Sequence, residues 1–305
     1  MRPAGTRTML VSGGLLALAV FWALRPILVG LADRWEADPR YSHGFLVPLF
    51  SLGLLWSRRS RLSGLALSPS NWGLAVIALG AGVQILGGYF LMDPVAALAL
   101  IPYLAGAALL LGGLPLLRWS WVSIAFLVFM VPPPWRLEFF MDSALQSLAT
   151  KASTFTLQCL GMMAVAEGNV IQLSGARLGV AEACSGLSML ITLIALATAV
   201  AIVIDRPLPD RVVLVLSSIP VALVANVARI VLTAVLQETV GGDATVSFHH
   251  DLAGWVMIPF ALLLYWIEIQ VLSKLAPEVD QADETADSAS ASARRPLAAP
   301  RPSDS

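Results

Sequence analysis

Long uncharged runs separated by short polar stretches fill the chain from Met9 to Leu272. Many reach the roughly 20 residues a helix needs to cross a bilayer. The pattern predicts eight spans, at about Met9–Leu31, His43–Ser57, Trp72–Met92, Pro94–Leu117, Trp119–Pro134, Ala183–Ile204, Val212–Leu236 and Leu252–Leu272. The second and fifth are short and read as tilted, re-entrant or stacked on neighbours. One long segment, 132–182, interrupts the series. Its first part, Arg136–Leu160, mixes polar and apolar positions and predicts an amphipathic helix lying on the membrane surface. Its second part, Ala164–Val180, alternates apolar positions between Gly-rich turns and reads as a short β-hairpin or a plain connecting loop. A hairpin there could hold an extended peptide by strand addition. The expected fold is an all-α polytopic membrane protein of about eight transmembrane helices, with one external amphipathic helix and a short external hairpin.

Composition agrees with the pattern: 57% of residues are hydrophobic and only 13% charged. A soluble domain is excluded on those figures. The net charge of −1, without a basic stripe, argues against nucleic acid as a partner. The first apolar stretch runs on past Arg25, so it reads as a span, not as a cleavable leader. Residues 1–274 form the expected membrane domain. The tail, 275–305, is rich in Ala, Ser, Pro, Asp and Glu and predicts cytoplasmic disorder.

Charge then orients the spans. Arg2, Arg7, Arg58, Arg59, Arg61, Arg118, Arg206, Arg211 and Lys274 fall on one side of an eight-span chain. The other side carries fewer basic residues over longer loops, together with Asp33, Glu36, Asp38 and Asp93. Basic residues mark cytoplasmic loops, so both termini are expected in the cytoplasm. Under that parity Cys184, Arg229 and His250 gather near the outer face.

Cys184, in Glu182-Ala183-Cys184-Ser185-Gly186, opens an apolar run, and a helix N-terminus favours a thiolate. Glu182 lies near the cap, and Ser185 and Gly186 keep the entrance small. An inert buried thiol, or a disulfide with Cys159, fits the same residues. Arg229 is harder to place without a role, because a charge within a span is costly. Its side chain tilts away from the nearer surface, and Asn226 at i−3 shares its face and could orient the guanidinium. His250 can exchange protons near neutral pH, or simply sit at the interface. His249, His250 and His43 raise a metal site, but no acid or thiol stands nearby at helical ligand spacing, so no metal and no cofactor is expected.

These pieces together resemble the exosortase/archaeosortase family of integral-membrane, sortase-like cysteine enzymes. Tyr41-Ser42-His43-Gly44, Glu182-Ala183-Cys184-Ser185-Gly186-Leu187, Asn226-Val227-Ala228-Arg229 and His250-Asp251-Leu252-Ala253-Gly254 stand in the family's order across about 35–272. The resemblance implies a Cys184–Arg229–His250 site, with Asn226 orienting Arg229 and His43 bordering the substrate's way in. It implies cleavage of membrane-anchored exported proteins bearing a C-terminal sorting signal: a Pro-Glu-Pro-like motif, a transmembrane helix and a basic tail. It also implies an inner-membrane location, a periplasmic site and a link to exopolysaccharide and biofilm. A transporter or polysaccharide-export component using Arg229 as an anion site, or a structural subunit, is the rival reading. Oligomeric state is not readable.

Overall fold

The computed structural model describes residues 4–175, 177–180, 186–240 and 246–275, and the side chains of all these but 4–13, 15–17, 39, 188, 240, 246–258 and 275. It is mostly helical (81%), with one small sheet. In order, α1 (Ala4–Ala37) leads through a 3-10 helix (Pro39–Phe45) into α2 (Leu46–Ser57) and the short α3 (Arg59–Leu62). Then come α4 (Trp72–Tyr89), α5 (Asp93–Ala97), α6 (Leu100–Phe126) and α7 (Trp135–Cys159). Strands β1 (Val165–Glu167), β2 (Val170–Gln172) and β3 (Arg177–Gly179) precede α8 (Gly186–Val203), α9 (Leu208–Leu216), α10 (Ser218–Val240) and α11 (Val246–Leu275).

Among the described residues, three helical runs are long and apolar enough to cross a membrane: Trp72–Tyr89, Asp93–Met130 and Leu208–Thr239. A shorter apolar helix covers Met189–Val203. Trp22, Leu46, Trp56, Leu79 and Ile85 are exposed, an apolar exterior suited to lipid. Inside, Leu24, Leu31, Trp35, Tyr41, Val47, Tyr103, Phe126 and Met130 share one core.

The run Asp93–Met130 is not one straight rod. At Gly113 the backbone leaves the helix (φ 69, ψ −158), a conformation costly for any residue with a Cβ, and a Cβ there would collide with the Ser68 carbonyl. Pro115 then removes a helical donor. Before the break, α6 pairs with α4: Gly80 packs on the Ala99 and Tyr103 backbone, and Gly73 on Gly106. After it, the chain returns along α2. Trp119 Nε1 donates to Arg58 O at 3.1 Å, Ser51 to Ser123 O at 3.0 Å, and Trp35 Nε1 to Met130 O at 2.9 Å. Later residues meet earlier ones, so the leg runs antiparallel to α2. The reversal expected beside Arg118 therefore falls at Gly113.

The segment 132–182 differs from expectation in two respects. Helix α7 does not only rest on a surface. It packs against α8 and α10, with Ala149, Thr150, Ser153 and Leu157 fully buried. Its small and hydroxyl residues allow that close approach. The expected hairpin has a third strand: β1 and β2 pair antiparallel (Val165↔Gln172), and β3 adds antiparallel to β2 (Val170↔Gly179). Ile171, Leu178 and Val180 are buried in one cluster with Ala149 and Leu157 of α7 and Ile230 and Ala234 of α10. Asn169 O accepts from Val180 N at 2.9 Å, which ties the sheet's exit to its first turn.

Helices α9 and α10 follow each other almost without interruption. Pro220 has no N–H to give to Leu216, and Ser217 and Ser218 hydroxyls donate to Leu214 O and Val215 O at 2.8 and 2.5 Å. Two compact units divide the chain, 1–261 and 262–305. In the second, the described part of α11 exposes Leu262, Leu263, Trp266 and Val271. The tail expectation falls at 276–305, outside the described residues.

Candidate active site

The site is built around the start of α8. A Cβ placed on Gly186 would lie 3.2 Å from Asn226 Nδ2 and 3.5 Å from Leu145 Cβ. Three helices, α7, α8 and α10, therefore converge at a glycine, where a Cβ would crowd the Asn226 amide. Asn226 is 2% exposed, and its Oδ1 accepts from Arg229 NH2 at 3.2 Å. Arg229 Nε is buried and has no hydrogen-bond partner among the described residues. A guanidinium so held presents an idle donor and a positive charge where burial magnifies both. Asn226 and Arg229 thus meet at the i−3 spacing on one helix face.

The level of this contact matters. Helix α8 also packs on α9, which precedes α10, so α8 and α10 are antiparallel. Asn226 meets the first residue of α8, and the rest of α10, up to Val240, extends roughly 21 Å past that level. Arg229 is on this overhang, with α7 and the sheet packed beside it.

His43 sits a turn and a half along α8 from Gly186. Thr192 Oγ1 lies 3.2 Å from His43 Nδ1, and the backbone of Phe129 and Arg40 is within hydrogen-bonding reach of the ring. His43 thus ties the 3-10 helix to α8 at a distance from Arg229. Neighbouring motif residues act similarly. Gly44 lies flat against the Trp35 ring, where any Cβ would clash, and Trp35 and Phe45 meet edge to face with centroids 5.0 Å apart.

Glu182, Cys184 and Ser185 lie outside the described residues. His250 falls within α11, with its side chain outside the described set. Cys159 is exposed and free.

A charged network that the sequence did not single out flanks the site. Arg40 forks onto Asp38, with Nε to Oδ1 at 3.0 Å and NH2 to Oδ2 at 2.7 Å, and reaches Glu138 Oε1 with NH1 at 2.8 Å. The Arg40 hydrogen bond holds the Asp38 carboxyl below its ordinary value. Burial, then a hydrogen bond to Glu138, pushes the Tyr41 hydroxyl well above its own. One turn on from Glu138, Asp142 accepts from Gln146 Nε2 at 2.9 Å, and Asn169 Nδ2 donates to Gln146 Oε1 at 2.8 Å. Burial raises the Asp142 carboxyl, against the pull of Arg40. The available signal was the spacing of Glu138, Asp142 and Gln146, i, i+4 and i+8 on one helix face.

The sequence matches the family described as transmembrane exosortase over residues 35–267. The chain belongs to the transmembrane exosortase family. Searches of curated proteins and of solved structures returned no match. The matched exosortase region opens at Trp35, which anchors the 3-10 helix, and contains Gly186, Asn226 and Arg229.

Proposed function

We propose that this exosortase is a membrane-embedded cysteine peptidase or transpeptidase that cleaves C-terminal sorting signals of exported proteins. Cys184, Arg229 and His250 are its reacting groups. One observation carries the reading: Gly186, two residues after Cys184, packs on the amide that holds Arg229, whose Nε is buried and unpaired. A structural arginine in lipid would have every donor satisfied.

In this mechanism the Cys184 thiolate attacks the scissile carbonyl carbon, and the developing oxyanion takes its hydrogen bond from Arg229. His250 protonates the leaving amine as the C–N bond breaks, which leaves a thioester on Cys184. His250 then removes a proton from water or an amine as that acceptor attacks the thioester, and the thiolate is released. Asn226 positions Arg229. Glu182 and Ser185 flank the nucleophile, and His43 holds the 3-10 helix against α8. No cofactor enters.

The proposed setting is the inner membrane, with eight spans, both termini cytoplasmic and the site on the periplasmic face, in the context of exopolysaccharide and biofilm production. Opposed runs at Gly113 and the antiparallel α8 and α10 support that order of spans. The test is an in-cell assay with a reporter carrying a Pro-Glu-Pro motif, a transmembrane helix and a basic tail. Wild type should shorten it and Cys184→Ala should not. Equal shortening by both would overturn the proposal.

A further inference from the structure

Beyond Arg229, the overhanging half of α10 carries a row of buried polar groups. Arg229, Thr233 and Gln237 follow Asn226 at i+3, i+7 and i+11, so all four share one helix face. Arg229 Nε, Thr233 Oγ1 and Gln237 Oε1 are each buried without a hydrogen-bond partner among the described residues. Thr233 is 4% exposed, and it does not make the bond to the preceding turn that a helical threonine often makes. Leaving such a group unpaired costs about 1–3 kcal/mol, and here three stand in succession on one helix face.

The spacing selects a ligand. Four residues of helix rise about 6 Å, so Arg229, Thr233 and Gln237 stand about 6 Å apart along α10. An extended chain presents the N–H and C=O of every second residue on the same edge, a repeat of about 6.6–6.8 Å. A guanidinium N–H matches a carbonyl, a hydroxyl matches either group, and a carboxamide oxygen matches an N–H. The adjacent stripe, Ile230 and Ala234, is taken up by packing on α7 and the sheet, which fixes the polar face beside it.

We propose that Arg229, Thr233 and Gln237 form a subsite that binds the backbone edge of an extended peptide, the segment of the sorting signal next to the cleaved bond. This rests on the proposed function for the identity of the peptide, and on the unpaired polar row for its place. Roughly four residues of the peptide lie along the roughly 12 Å between Arg229 and Gln237.

The test separates binding from cleavage. A synthetic, fluorescently labelled sorting-signal peptide is titrated onto full-length Cys184→Ala protein in lipid nanodiscs, with and without Thr233→Val or Gln237→Met. Thermal unfolding of each variant is followed in parallel. Both substitutions remove an unpaired buried polar atom, so unfolding temperatures should hold or rise. Peptide affinity should fall about three- to tenfold for each. Unchanged affinity with preserved stability assigns the row to ordered water and overturns the subsite. So does a parallel loss of stability, which marks a structural role, or the absence of any peptide binding. Cleavage by wild type is measured separately. If the peptide binds in the expected pattern and is never cut, the peptidase reading fails and the subsite stands.

Discussion

Asn226→Leu is the sharpest single perturbation of the site. The substitution nearly conserves shape at a position 2% exposed, so the contact with Gly186 is kept. It removes the Oδ1 that accepts from Arg229 NH2 at 3.2 Å. A hydrogen bond to a charged group contributes about 1.5–3 kcal/mol. If Arg229 acts on the transition state, that sum is expressed in the barrier, and a tenfold change in rate corresponds to about 1.36 kcal/mol. Reporter cleavage by Asn226→Leu should therefore fall roughly 10- to 150-fold in kcat/KM. The assay is cleavage by purified protein in detergent or nanodiscs, with melting measured on the same preparation to confirm that the variant folds. A folded Asn226→Leu protein that cleaves within about twofold of wild type, a difference of about 0.4 kcal/mol, refutes the orienting role.

Other expectations follow from other parts of the molecule. Gly113→Ala must adopt a positive φ and clash with the Ser68 carbonyl, so it should lower the unfolding temperature sharply or prevent accumulation. Normal accumulation and melting would contradict the reversal there. Asp38 has a depressed pKa in the folded protein, so its contribution is present above the ordinary 3.8 and lost as pH falls through the lower folded value. The melting gap between wild type and Asp38→Asn should be open at neutral pH and close on strong acidification; a gap independent of pH would discount the Arg40 fork. Asp142 is raised by burial, so its charged form opposes folding at higher pH. Asp142→Asn should match or exceed wild-type stability near pH 7, with any gain fading toward acid, and a large loss at neutral pH would contradict this. Cys159 is exposed and free, so Cys159→Ser should leave reporter cleavage and non-reducing gel mobility unchanged.

Hydrophobic run length located most helices, because span-length apolar runs impose helix regardless of partners. It located turns less well. The reversal at Gly113 is written in Gly112-Gly113-Leu114-Pro115, but Arg118, a lone charge within the apolar run, marks a more conspicuous boundary five residues later. Strands of three residues carry too few positions to show alternation, so β3, with Arg177 and Gly179 around a single buried Leu178, does not stand out as a third strand within Ala164–Val180. Helix α7 was legible as amphipathic, but its partner was not. Amphipathicity gives a face, and whether lipid or protein covers that face depends on contacts distant in sequence.

At the site, Arg229 and Asn226 were legible because a charge in an apolar run has few bland explanations. The roles of Trp35 and Gly44 were not, since each depends on a side chain meeting a backbone brought there by folding. Thr233 and Gln237 are not legible in the sequence, because single polar residues in a long helix carry no signal until burial shows them unpaired.

The central claim, a thioacyl intermediate on Cys184, is tested most directly by mass spectrometry of enzyme quenched in acid during reporter turnover. The account predicts an adduct with the mass of the reporter's acyl fragment on Cys184. It should be released by hydroxylamine and be absent from Cys184→Ala. Reporter cleavage that persists in Cys184→Ala, or an acyl adduct carried on another residue, contradicts it.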